Sequence, residues 1–312
     1  MMQSAANDSR FFLQKGGMFM NILVIGAGGF IGKHLVEGLQ RTEVKVLEHT
    51  RKDGDITKEH VLERYRCVDC VYHLAAKTFV PDSWEEPGEF LDNNIKGLIN
   101  VLEFCRKNAV HLIFLSSYLY GQPMYLPIDE KHTCSAVSPY HLSKKLGEDI
   151  CKFYSRYYHV DIVVIRPFNV YGPGQREDYL LSKIYRQLMD DTRDTVEVFD
   201  LQPKRDFIYI SDLVKMLIML KDKVKGYEVY NIGSGCSYSV AEVIEIMQRE
   251  FHTNKKLVEI GVRRQNEVMD CVADVTKFNT LVGKIETLSL AEGIHNWHLE
   301  VRKKNENTDV EL

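Results

Sequence analysis

The segment "NILVIGAGGFIGKHL", Asn21 to Leu35, constrains the fold more than any other part of the chain. A β-branched apolar run stops at Gly26. Gly28, Gly29 and Gly32 follow, and apolar residues resume at helical spacing over Ile31–Arg41. Glycines at a strand-to-helix turn allow a sharp reversal, and they leave the first backbone N–H groups of the helix open to a phosphate. The expectation is a strand, then a cradle of Gly26, Gly29, Phe30, Ile31 and Gly32 for the pyrophosphate of a dinucleotide, then a helix. A glycine turn with no ligand is the plain alternative.

The rest of the first half repeats the alternation. "VKVLEHT", "CVDCVYHLAA", "HLIFLSS" and "DIVVIRPFNVYG" read as buried strands, and helical patterns over Glu89–Lys107 and from Tyr140 lie between them. Continuous apolar strands separated by helices predict an α/β fold with a doubly wound parallel sheet. After Gly172 the pattern loosens. "VEVF" and "DFIYI" are strand-like, and Ser211–Leu220 and Val240–Phe251 are helical. The expected layout is an extension without order over 1–19, a nucleotide domain over 20–171, and a smaller mixed α/β substrate-binding portion over 172–301. Late strands return to the nucleotide domain, and a polar tail covers 302–312.

Composition narrows the function. A net charge of -4 in 312 residues gives no basic footprint for nucleic acid. No apolar run is long enough to span a bilayer. The seven cysteines are scattered, and the lone CxxC of Cys67 and Cys70 lacks partners for zinc, so both are expected to flank a buried strand. No metal site and a reducing, cytoplasmic setting are expected.

The end of the second strand bears on cofactor choice. In "LEHTRKDGDIT", Thr50 and Arg51 fall where an acidic residue would hold a ribose hydroxyl. A guanidinium suits a 2′-phosphate, so Arg51 favours NADP(H). An ordinary surface arginine looks the same in sequence, and Glu48 is a ribose ligand for NAD(H) if the register shifts by two. Asp55 and Ile56 are expected at the adenine.

"SPYHLSKKLGEDICKFY" places Tyr140 and Lys144 one turn apart on a helix. A phenol ionises near pH 10, and a nearby ammonium favours the phenolate. The pair is therefore expected to act as general acid/base on a hydroxyl or ketone, with Ser116 of "FLSSYLYG" orienting the reacting oxygen. A turn hydroxyl is the bland reading of that serine.

With these pieces on one chain, the sequence resembles the extended short-chain dehydrogenase/reductases, in the nucleotide-sugar epimerase/dehydratase/4-ketoreductase branch. The matching motifs run in order from Asn21 to about Trp297: "GAGGFIG", "HLAA", "NNIKG", "SSYLYG", "YHLSK", "RPFNVYGPGQ", "RDFIYISD" and "RRQNEV". The resemblance implies a Rossmann-like fold and a catalytic set of Ser116, Tyr140 and Lys144. Lys144 would also hold the nicotinamide ribose. Leu74, Ala75, Ala76 and Asn94 would line the cofactor cleft, and Pro167, Phe168 and Val170 would lie near the nicotinamide. Ser117, Tyr118 and Asn169 are expected on the substrate side. Arg205 and Arg264 resemble the arginines that grip the substrate pyrophosphate.

The segment after Ser116 holds Ser117, Tyr118 and Leu119, with no carboxylate for dehydration and no cysteine of the kind that C3/C5-epimerising reductases resemble. Two reactions at C4 of a nucleotide-diphosphate sugar stand: single reduction of a 4-keto sugar, which is favoured, and 4-epimerisation with retained NAD. A catalytically inert NAD(P)H-sensing regulator is the reading from another class. The family also implies a homodimer through the helices near Glu89–Lys107 and Tyr140–Tyr158. Ile150, Phe153, Tyr154 and Tyr157 either line that interface or pack on the sheet.

Overall fold

A computed structural model describes residues 19–261 and 267–309, with side chains through 303. The extension expected over 1–19, apart from Phe19, and Arg264 lie outside the described residues. In chain order the first part comprises β1 (Met20–Ile25), α1 (Phe30–Gln40), β2 (Val44–His49), β3 (Cys70–His73), α2 (Val80–Glu85), α3 (Pro87–Leu91), α4 (Gly97–Asn108), β4 (His111–Leu115), α5 (Pro139–Tyr158), β5 (Ile162–Pro167) and β6 (Asn169–Tyr171). The second comprises α6 (Leu180–Met189), β7 (Thr195–Val198), β8 (Lys204–Tyr209), α7 (Ile210–Met219), β9 (Tyr227–Ile232), β10 (Ser237–Ser239), α8 (Val240–Phe251), β11 (Lys256–Glu259), β12 (Asp270–Cys271), α9 (Thr276–Val282) and α10 (Leu290–Asp309).

The main sheet has the order β2-β1-β3-β4-β5-β9, and each neighbouring pair is parallel. Its pleat sends alternate side chains to opposite faces. Ile22 and Val24 of β1 join a core with Leu35 and Leu39 of α1 and Leu213 and Leu217 of α7. Leu23 and Ile25 join the other, with Leu98, Val101 and Leu102 of α4 and Cys151 of α5. Each such strand side chain, removed from water, contributes about 1.5–3 kcal/mol. That two-sided burial is why the strands read as unbroken apolar runs. A second sheet, β10-β8-β12 with β6 also on β8, and a β11-β7 pair lie beyond it.

The helix expected over Glu89–Lys107 is broken. A π turn, Asp92–Lys96, separates α3 from α4. Asn93 donates its side-chain amide to the Glu89 carbonyl at 2.8 Å, competing with the helical ladder. The cysteines also depart from expectation. Cys70 opens β3 and is buried, but Cys67 is exposed at φ +55° in the preceding turn, so the two do not flank the strand. Helix α10 runs on through Arg302 to Asp309, into the stretch read as a polar tail. Its Leu290, Ile294 and Trp297 are buried at helical spacing. Among the described residues, no helix is long and apolar enough to cross a membrane.

Candidate active site

The carboxyl ends of β1, β3, β4 and β5 open onto a cleft of 850 Å³. Gly26 sits at φ +92°, and a Cβ there would stand 2.7 Å from the Ala75 nitrogen. A Cβ on Gly32 would stand 2.1 Å from the Gly26 carbonyl oxygen. The turn therefore packs backbone on backbone. Helix α1 begins from Gly29 with no side-chain cap and no acidic residue in its first turn. Its leading N–H groups are left for an anion, and Gly26, Gly29, Phe30, Ile31 and Gly32 all lie on the cleft wall. This cradle suits the pyrophosphate of a dinucleotide.

Around it the expectations divide. Leu74, Ala76, Pro167 and Val170 are on the wall, as is Arg51, whose side chain is exposed. Thr50 is turned away. Its N–H and hydroxyl both donate to Asp53, at 2.8 and 2.7 Å. Those bonds hold the Asp53 carboxyl below the usual range. Asp55 accepts from the N–H and hydroxyl of Thr57, and Ile56 packs where a Cβ of Gly97 would be; neither reaches the wall. Ala75 backs the glycine turn rather than facing the cleft, its N–H donating to Ile25 O at 3.0 Å. Asn94 also works from behind. Its side chain accepts from the Lys77 N–H at 2.8 Å and donates to Ser143 Oγ at 2.8 Å, from within the π turn.

Helix α5 carries the expected acid/base pair. Ser138 caps it, its hydroxyl accepting from the His141 N–H at 3.2 Å, and Pro139 occupies the first turn. Tyr140 and Lys144 are buried and line the cleft. The two serines that follow β4 differ in their surroundings. Ser117 is a polar neighbour of the Tyr140 phenol on the cleft wall. Ser116 Oγ instead donates to Glu148 at 2.5 Å. Ser116 also lies on the wall, but its hydroxyl is committed away from Tyr140.

The electrostatics change as well. Burial pushes the Tyr140 phenol above its ordinary range, and the Ser117 hydrogen bond opposes this only in part. The Lys144 ammonium donates to Leu115 O at 2.7 Å, and burial draws it down to about 8. Lys144 is not among the groups that shift Tyr140, and burial sets the direction. His73, beside Lys144 and fully buried, falls to about 3.

On the opposite wall, Tyr118 stacks on Phe168 with centroids 5.1 Å apart and donates to Asn169 at 3.1 Å. Arg205 also reaches the cleft, and its guanidinium is held by Glu267, by Val268 O at 2.6 Å and by Lys204 O at 2.8 Å. A second depression of 660 Å³ shares Arg205, Phe79 and Leu180 with the first. Sequence reasoning missed Lys77, Phe79, His141, Arg176 and Tyr179 on the wall. Arg176 stacks 4.3 Å over Phe79 and pairs with Asp82 and Asp178. The only signal was adjacency: Lys77 follows "HLAA", and Arg176 follows "YGPGQ".

Residues 22–233 match the model of the NAD dependent epimerase/dehydratase family. The chain is 30% identical over 324 residues to the UDP-glucose 4-epimerase of Halalkalibacterium halodurans, covering 90% of this chain and 96% of that one. It is 28% identical over 242 residues to the GDP-6-deoxy-D-mannose reductase of Pseudomonas aeruginosa, covering 74% and 80%. Among solved structures, it resembles UDP-glucose 4-epimerase from Thermotoga maritima with UDP-glucose, at a TM-score of 0.84 and 27% identity, covering 91% of this chain and 99% of that one.

Proposed function

We propose, on the premise that this chain belongs to the NAD dependent epimerase/dehydratase family, that it carries out NAD(P)-dependent oxidoreduction at C4 of a nucleotide-diphosphate sugar, as a 4-keto-sugar reductase. The observation that carries the reading is the meeting, in one cleft, of the open glycine cradle with the Tyr140 phenol and its Ser117 neighbour.

The cradle residues and Lys144 would hold the dinucleotide, Lys144 at the nicotinamide ribose, and Arg51 on the wall would meet a 2′-phosphate. When bound, NAD(P) supplies or accepts the hydride. This chain's own residues manage the oxygen. Ser117 and Tyr140 both line the cleft, and one sugar oxygen would meet both hydroxyls. In the reducing direction, Tyr140 gives its proton to the 4-keto oxygen as the carbon gains a hydride. Burial favours the protonated phenol, which suits an acid. Asn169 and Tyr118 would orient the sugar, and Arg205 would meet the diphosphate on the way to the second depression.

The second reading is a 4-epimerase, favoured by the likeness to UDP-glucose 4-epimerases over nine-tenths of the chain. Released cofactor separates the two. Protein that purifies with tightly held NAD supports the epimerase. Empty protein that consumes NADPH only with a 4-keto sugar nucleotide supports the reductase. Tyr140→Phe tests for an enzyme at all: turnover should fall about 10²–10⁴-fold with dinucleotide binding intact. Wild-type protein inert toward a panel of sugar nucleotides leaves the sensing regulator.

The seven cysteines, all unpaired, suit a reducing compartment such as the cytoplasm, which fractionation checks. The partner is a second copy of this chain, through the exposed stripe of Leu142, Leu146, Phe153 and Tyr157 on α5; Ile150 and Tyr154 pack into the core instead. A monomeric mass by light scattering would rule this out.

A further inference from the structure

One turn beyond Lys144 on the buried face of α5 stands a carboxylate, Glu148, only 5% exposed. A buried carboxylate is costly unless it is paired and hydrogen-bonded. Both of its oxygens are used. Oε1 accepts from Ser116 Oγ at 2.5 Å and from Arg166 Nε at 3.0 Å, and Oε2 accepts from Arg166 Nη2 at 2.5 Å. Arg166, on β5, is braced in turn. Its Nη1 donates to the Tyr120 hydroxyl at 3.0 Å, and that hydroxyl donates to Asn231 Oδ1 of β9 at 2.5 Å. Glu148 thus ties α5, β5 and β9 to the loop that carries Ser117. Lys144 completes the clamp by holding Leu115 O, so the last residue of β4 and the first of the loop are both fixed from α5.

The charges tell the same story. The groups facing Lys144 are His73 from β3, and Cys151 and Glu148 from its own helix. His73 is neutral, and burial holds the Cys151 thiol well above its usual range. Glu148 is left as the charged neighbour.

We propose that Glu148 is a positioning residue for the chemistry at Tyr140: braced by Arg166, its carboxylate seats Ser116 and through it the Ser117 hydroxyl, and its negative charge faces the Lys144 ammonium one turn back. The inference rests on the proposed reading of the cleft. Glu148 itself is not on the cleft wall, so it acts through its neighbours.

Burial lowers the Lys144 ammonium to about 8, and Glu148 opposes that shift. Neutralising the carboxylate therefore makes Lys144 lose its proton at lower pH. The test uses the full chain with Glu148→Gln and with Glu148→Gln/Arg166→Gln. The double variant leaves no lone buried guanidinium, so it decides the matter if the single variant unfolds. Binding of NADH and NADPH is followed by nucleotide fluorescence from about pH 6 to about pH 9.5, with melting curves recorded alongside.

Wild-type binding should weaken as pH rises through about 8. In the folded double variant the fall should move down by one unit or more. For a one-unit move, binding at neutral pH then drops about twofold and binding above about pH 9 drops about tenfold, while binding near pH 6 stays close to wild type. A folded double variant whose profile superimposes on wild type overturns the proposal for Glu148 alone. A wild-type protein that binds neither dinucleotide at any pH overturns the reading of the cleft, and this inference with it.

Discussion

Replacing three loop glycines one at a time with alanine should give three different outcomes, because the space behind each differs. At Gly32 the new Cβ would lie 2.1 Å from the Gly26 carbonyl oxygen and 2.9 Å from Ala27 Cα. Both are backbone, so no side chain can swing aside. The helix must back away from the turn by about 1 Å, and overpacking of this kind costs about 3 kcal/mol or more. At about 2–4 °C per kcal/mol, Gly32→Ala should melt about 6–12 °C lower. Its dinucleotide affinity should fall too, since the N–H groups of α1 move with the helix. At Gly29 the nearest atom is the same carbonyl oxygen, now 3.3 Å away, and the residue faces the cleft. Gly29→Ala should cost about 1 kcal/mol or less in stability yet place a methyl where the ligand would sit. At Gly28 only the Thr50 methyl is near, at 3.6 Å, and the residue is off the wall. Gly28→Ala should bind normally and melt level with wild type or slightly higher. Thermal melting and NAD(P)H fluorescence titration of the three variants read both axes. Equal damage in Gly28→Ala and Gly32→Ala would refute the reasoning, because chain stiffness and not contact space would then govern the loop.

The two serines should separate. Ser117→Ala should lower turnover about 10²–10³-fold with melting unchanged, whereas Ser116→Ala should cost about 1 kcal/mol in stability by removing one of the three donors to Glu148, which keeps its pair with Arg166; the reverse order in steady-state and melting assays would point to Ser116 as the partner of Tyr140. Arg51→Ala should weaken NADPH about tenfold and leave NADH unchanged, as one exposed charge-assisted contact permits; equal loss of both in fluorescence titrations would remove Arg51 from the 2′-phosphate. Lys144 sits at about 8 in the folded chain against 10.5 unfolded, so the unfolded chain binds the extra proton between those values. The penalty on the native state is full below pH 8 and fades as pH rises to 10.5. Those units amount to about 3 kcal/mol, and the lost bond to Leu115 O offsets about 1. Lys144→Met should therefore abolish turnover yet stabilise the protein by about 2 kcal/mol at neutral pH, with the gain gone near pH 10.5; a variant less stable at neutral pH in denaturant titrations would contradict this.

The sheet was legible because its strands are buried on both faces and so spell unbroken apolar runs. Helix α5 was legible because Ser138 and Pro139 announce its start and Tyr140 and Lys144 share a face. The commitment of the Ser116 hydroxyl to Glu148 was not. Neighbouring side chains at a strand end point opposite ways, and a shift of one residue exchanges them. Thr50 and Arg51 show the same effect. The burial that raises the Tyr140 phenol was not legible either, because a pairwise argument from Lys144 carries no information on desolvation. Lys77, Arg176 and Tyr179 come to the cleft on loops, where no periodicity reports direction. The clamp of Glu148 and Arg166 joins residues 18 apart on different elements, which a linear pattern does not display. Helix α10 was overlooked because its three buried apolar positions are diluted by polar ones.

Strand β9 seals the flank of the main sheet, matching β5 over six register positions from Ile162↔Tyr227 to Pro167↔Ile232. The chain must pass through β6, α6, β7, β8 and α7 before it supplies that strand. A nascent polypeptide that has emerged only as far as Met219 therefore carries Ile162–Pro167 with bare N–H and C=O groups along one side, a template for any passing extended segment. Synthesis and assembly of the two halves are interlocked. Severing the chain near Gly172 would yield not a smaller working nucleotide domain but a sticky-edged fragment, and a chaperone holding that rim until Ile232 arrives would matter more here than in a protein whose sheet closes with its own consecutive strands.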